Sequence, residues 1–186
     1  QDPDGETLEA WLAYQAIDEN TWQSLASRLD ESTFKWDTRK VNDGVYRLRV
    51  AVTDRPSRPA DALERVVIVA PVIIDNTKPT AELVSGPKWE GDRLHIEVLA
   101  SDGGSGVQGI SWNYPGTKMW YMAPPADGHF GDAQELAVIM VDGLAKGGGE
   151  LVVRVLDGAG NVTELKTSVP ERPAPKTEKE GGEKQR

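Results

Sequence analysis

Between Tyr46 and Val52 the chain alternates. Tyr46, Leu48, Val50 and Val52 fall on one side of an extended backbone, and Arg47 and Arg49 fall on the other. A period of two is the pattern of a β-strand with one apolar face. Short apolar runs of similar length recur at 8–17, 33–36, 66–74, 94–99, 110–114, 136–141 and 151–156. Between them stand turn formers: Asp43-Gly44, Asp127-Gly128, Asp142-Gly143 and Asp157-Gly158. Such pairs close hairpins because glycine accepts a positive φ and aspartate bonds nearby backbone. Strands separated by turns at this spacing predict an all-β chain built of antiparallel sandwiches. Helical spacing competes only at 19–29, where Trp22, Leu25 and Leu29 share a helix face. Thr21 and Trp22 also suit a strand. The β-like runs on both sides favour a strand there.

The apolar run 66–74 ends in Asp75-Asn-Thr-Lys-Pro79, after which the strand pattern restarts. Proline holds the residue before it extended, so the stretch reads as a connector between two units, 1–76 and 77–170. The last segment, 171–186, has both charge signs, Pro and Gly, and no large apolar residue. Nothing in it can offset the entropy of ordering, and a disordered tail is expected.

Gly104-Ser-Gly-Val-Gln-Gly109 spells the glycine spacing of a dinucleotide site. That site needs a helix after the glycines, because the helix N-terminus holds the pyrophosphate. Here Ile110-Ser-Trp-Asn-Tyr-Pro-Gly116 follows, a β-prone run ending in a turn. The glycines are read instead as a tight connection between two strands.

Residues 33–54, with Trp36-Asp-Thr38, Asp43-Gly44 and Tyr46-Arg-Leu-Arg-Val50, resemble a recurrent stretch of fibronectin type III-like and immunoglobulin-like modules in exported bacterial proteins. Residues 151–162, ending in Asp157-Gly-Ala-Gly-Asn-Val162, resemble the final hairpin of bacterial immunoglobulin-like domains. Residues 120–130 and the connector 74–79 are similar to segments of the same modules. The resemblance covers nearly all of residues 1–170. It implies two tandem antiparallel immunoglobulin-like/fibronectin type III-like β-sandwiches and a disordered tail. It also implies an extracellular, cell-surface or periplasmic setting, and a place C-terminal to a β-propeller in a large secreted protein. In such modules a stretch like Asp2-Pro-Asp-Gly-Glu-Thr-Leu8 follows an opening strand or two. The first module, 1–76, is therefore expected to lack its first strand or strands. Its edge and core would be completed by upstream polypeptide or by a partner's strand.

Charge and chemistry narrow the functions. The formal net charge is −9, with about −5 on each of the first two parts, so a nucleic-acid backbone would be repelled. The longest apolar run, 66–74, is about half of a membrane span. With no cysteine, thiolate ligands and thiol nucleophiles are excluded. His95, flanked on its own strand face by Arg93 and Glu97, is expected to face solvent. His129 lies in the loop Asp127-Gly-His-Phe-Gly-Asp132, without a nucleophile beside it. No enzyme and no cofactor are expected. Calcium is the one metal the acidic turns could take, at Asp127 and Asp132 or in 2–6, because carboxylates are its ligands. Trp112, Tyr114, Trp120 and Tyr121 form the candidate contact patch, for a partner protein or a glycan, since aromatic faces stack on both. The expected function is a non-catalytic interaction and spacer pair that docks a neighbouring domain or subunit; the alternative is a carbohydrate-binding module.

Overall fold

A computed structural model describes residues 5, 7–29, 31–114, 117–144 and 148–174. The described residues are all-β, with three antiparallel sheets and one short 3-10 turn, Thr38–Lys40, capped by the Asp37 carboxylate. Residues 175–186, most of the expected tail, lie outside the described residues, as do Asp2, Asp4 and Glu6.

The first sheet has the order β2-β1-β3-β4, from β1 (Glu9–Ala16), β2 (Gln23–Leu29), β3 (Gly44–Thr53) and β4 (Glu64–Ile74). Of the 19–29 stretch, Gln23–Leu29 is strand, fixed by the tertiary pairing of Leu12 to Ala26, while 19–22, with Thr21 and Trp22, lies outside it. Cross-strand pairs sort the side chains by face. Leu12, Val50 and Val67 are in line, as are Tyr14, Leu48 and Val69. This face is apolar. On the reverse face Trp11, Ala51 and Val66 are in line, and Ala13, Arg49 and Ile68 beside them. The run 33–36 forms no strand. It crosses the apolar face, where the Trp36 ring lies 4.8 Å from that of Tyr14.

Two further sheets pack face to face. One has the order β5-β6-β9, from β5 (Thr80–Glu90), β6 (Arg93–Ser101) and β9 (Gln134–Val141). The other is β11-β10-β7-β8, from β7 (Val107–Asn113), β8 (Tyr121–Met122), β10 (Glu150–Asp157) and β11 (Val162–Ser168). Their inner faces alternate as the sequence does. Leu94, Ile96 and Val98 from one sheet meet Ile110, Val153 and Val155 from the other, all wholly buried. Each such side chain contributes about 1.5–3 kcal/mol on leaving water, so this sandwich has a core of its own. Trp89 fastens its end by donating from Nε1 to the carbonyl of Pro170 at 2.9 Å.

His95 corrects an expectation. It lies on the outer face of β6 but is buried, not solvent-facing. Its strand is central, with Lys88 and Met140 directly beside it on β5 and β9. The ring nitrogens lie 3.0 Å from Glu90 and 3.4 Å from Glu97. Hydrogen bonds from Lys88 and then His95 hold the Glu90 carboxyl below its ordinary range.

Candidate functional site

The glycine loop does cradle an anion, but the anion is the protein's own. Residues 102–106 carry the chain from β6 in one layer to β7 in the other. Asp102, at the end of β6, turns its carboxylate back under the loop. Its Oδ2 accepts from the N–H groups of Gly104, Ser105 and Gly106 at 3.2, 2.9 and 2.8 Å. Three successive backbone N–H groups aimed at one oxygen make a small anion nest. A second carboxylate enters beside it: Asp75 Oδ2 accepts from the N–H and hydroxyl of Ser105 at 2.9 and 2.6 Å. The glycines are required by this crowding. A Cβ on Gly104 would sit 2.5 Å from the Asp75 carboxylate, and one on Gly106, whose φ is +78°, would sit 2.4 Å from the Gly131 carbonyl.

Asp157 completes a trio. Its Oδ1 accepts from the N–H of Ala159 and Asn161, and its Oδ2 from the Asn161 side-chain amide at 2.8 Å. The same amide reaches the carbonyls of Asp75 and Thr77. On the other side, Asp43 accepts from the Asn76 N–H at 2.7 Å and the Thr77 hydroxyl. The 75–77 connector is therefore held from the first sheet by Asp43 and from the sandwich by Ser105 and Asn161. These bonds hold the Asp43 carboxyl below its ordinary value, the Thr77 hydroxyl contributing most and the Asn76 N–H next.

Carboxylate oxygens of Asp75, Asp102 and Asp157 lie within 4.8 Å of one another, and all three residues are buried. Hard oxygen donors at this spacing suit calcium chemically. Each carboxylate is, however, already engaged by N–H or O–H donors, and no buried side-chain polar atom among the described residues lacks a partner. The arrangement can lock loops together on its hydrogen bonds alone. Sequence reasoning identified the Asp157–Asn161 turn but not the trio. The signal was three Asp at strand ends, each followed by Asn or Gly; that they converge is a tertiary fact.

Asp127 and Asp132 are both exposed and do not belong to this cluster. Asp127 caps its own turn by accepting from the His129 N–H, and the Asp132 N–H donates to Glu135.

The aromatic candidates separate into two places. Trp112 and Tyr121 are direct cross-strand neighbours, stacked with centroids 4.7 Å apart. Tyr114, whose hydroxyl donates to the Gly148 carbonyl, packs with Trp112 against the sandwich core. These three, with Thr117, Asp142 and Leu144, line a groove of about 300 Å³. Trp120 is elsewhere: its ring lies under the Arg154 guanidinium at 3.9 Å. Arg154 alternates with the inward Val153 and Val155, so Trp120 sits against the outer face.

Comparison with models of known protein families gives no match for this chain, and no curated protein matches its sequence.

A further exposed apolar surface lies on the first sheet. Among the described residues no second sheet packs on the apolar face of the first sheet. On that face Val67 and Val69 of the edge strand β4 are 46% and 49% exposed, and Val66 and Ile68 on its reverse face are 42% and 55% exposed, whereas the sandwich strands are closed on their apolar side. Beside them is a cavity of about 620 Å³ whose lining mixes Val50, Val52, Leu63 and Val67 with Asp54, Glu64 and Arg65.

Proposed function

We propose that the chain is a non-catalytic interaction and spacer pair of immunoglobulin-like/fibronectin type III-like modules from a larger exported bacterial protein, and that its first module docks a neighbouring domain or subunit. The observation that carries this reading is the uncovered apolar face around Val50, Val67 and Val69. A sheet with one apolar face needs a second layer against it, and contiguous exposed apolar surface marks contact sites. The connector supports the spacer part of the reading. Asp43, Ser105 and Asn161 hold it by side-chain hydrogen bonds from both sides, which a flexible linker would lack.

The test is dye binding at about 1 µM protein. An anilinonaphthalene dye should fluoresce on the wild-type chain, and Val67→Asp should abolish that signal while the far-UV spectrum is unchanged. A wild-type chain that binds no dye at this concentration would refute the docking reading.

A second reading, carbohydrate binding, is favoured by the groove in which the stacked Trp112 and Tyr121 meet Asp142. An aromatic floor with a carboxylate beside it suits a sugar ring and its hydroxyls. Glycan-array binding that Tyr121→Ala removes would support it over docking.

A further inference from the structure

We infer that the partner of the first module is an extended acidic peptide strand that adds to the free edge of β4, with its carboxylates on the Arg49 face and its apolar side chains on the Val67 face. The inference rests on the docking reading above and names the partner's chemistry.

The edge comes first. β4 is the last strand of its sheet, and among the described residues no strand pairs with its outer side. From Glu64 to Val69 it runs in unbroken register with β3, and the register shifts opposite Ala70 and Pro71. A strand edge is a row of free N–H and C=O groups, which proteins blunt with charge, proline or a bulge. Val66-Val-Ile-Val69 carries none of these. Both faces of this stretch are exposed, Val66 and Ile68 on one side and Val67 and Val69 on the other. A layer packed on either face would leave the other in water. A strand hydrogen-bonded along the edge flanks all four residues.

Charge then selects the strand. In a chain of net charge −9, the face of Val66 and Ile68 carries three arginines. Arg49 is in line with Ile68 and Ala13, Arg47 is with Gln15 in the next row, and Arg55 borders the same face. Arg49 and Arg55 line a groove of about 430 Å³ together with Trp11, Ala13 and Ala51. Among the described residues the side chains of these three arginines make no ion pair, hydrogen bond or ring contact. The acids of the face, Glu9 and Glu64, share the row of Thr53, two rows from Arg49. Arg47 and Arg49 are about 6.6 Å apart along β3, which is the repeat of alternate residues in an added strand. An arginine stem is long enough to lie across Ile68 and bring its guanidinium to the edge. There it meets a carboxylate as a charge-assisted pair. The other row of the added strand extends the Val67 face and needs apolar side chains. A polyanionic sugar would meet the arginines but leave the backbone edge unpaired. The β4 strand of a second copy would bring valine and isoleucine to the arginines.

Fluorescence anisotropy on the full chain, with a labelled peptide of about eight residues alternating Val and Glu, tests this. The wild type should bind it at least about tenfold more tightly than a peptide alternating Val and Lys, and added salt should weaken binding. Arg49→Glu should weaken it about fivefold or more. Lys118→Glu, the same charge change at an exposed site on the sandwich, should leave it within about twofold. N-methylation of alternate peptide residues removes the N–H groups along one peptide edge at a time. One set should abolish binding and the other should spare it, a pattern read on the wild type alone and independent of whether a variant folds. A wild type that ignores the peptide while still binding dye would overturn the acidic strand and leave the docking reading in place. One that binds neither would overturn both. Binding that survives both methylations, or that oligogalacturonate reproduces with the same Arg49 dependence, would overturn strand addition in favour of a plain anion groove. Dimers at the assay concentration that exclude the peptide would overturn it in favour of a second copy.

Discussion

Asp102→Ala removes the acceptor at the centre of the glycine loop, and the cost can be worked out donor by donor. Gly106 N–H is buried and bonds Asp102 at 2.8 Å, so it is left unpaired inside the protein. That costs about 1–3 kcal/mol. Ser105 N–H keeps its bond to Asp75 and loses little. Gly104 is exposed and its N–H can turn to water. Relief of repulsion from Asp75 and Asp157, whose oxygens lie within 4.8 Å, returns part of the loss. The net expectation is about 1–2 kcal/mol. For a unit of this size that lowers the melting temperature by roughly 5–15 °C. Because the chain has two units, the transition should be followed by amide hydrogen exchange of β6 and β10, which belong to the sandwich. Asp102→Asn keeps a carbonyl oxygen in the nest and should cost about half as much. A change below about 0.5 kcal/mol for Asp102→Ala would refute the reasoning. So would a stabilised Asp102→Asn, which would mean that repulsion outweighs the hydrogen bonds. A rise in wild-type melting temperature with millimolar calcium, absent in Asp102→Asn, would show that a cation and not the N–H groups balances the three carboxylates.

Gly160 has φ of +93° in the last hairpin, with open space where a Cβ would go, so Gly160→Val should cost about 1–2 kcal/mol through backbone strain alone; an unchanged urea midpoint would remove that explanation. At the connector, Asp43 has a lowered pKa in the folded chain, so its contribution is present above the ordinary carboxylate value of about 3.9 and fades as the pH falls through the lower folded value. Proteolytic resistance at 75–79 should therefore hold from pH 7 to about 5 and drop below about 4. Asp43→Asn should flatten that dependence, and resistance lost already at pH 6 would contradict it.

The sequence by itself determined the strands. Alternation at 46–52 and 94–99 produced β3 and β6, because a pleated chain sends successive side chains to opposite faces whatever surrounds it. It also excluded the nucleotide reading, since β-prone residues follow the glycines and the structure continues there as β7. Local chemistry likewise located the Asp157 turn, whose bonds span only a few residues. The tertiary structure decided what depends on residues distant along the chain. His95 looked solvent-facing from its own strand, but burial is set by neighbouring strands, and β5 and β9 cover it. Trp112 and Trp120 looked like one patch, yet cross-strand pairing sends the first toward the core and cation contact holds the second outside. The Asp75, Asp102 and Asp157 cluster joins residues up to 82 positions apart, and no period in a sequence encodes such a meeting. The apolar face of the first sheet lies between these cases. Alternation specified that such a face exists, but only the tertiary structure could reveal that Trp36 packs on its Tyr14 end and that no second sheet among the described residues covers Val67 and Val69.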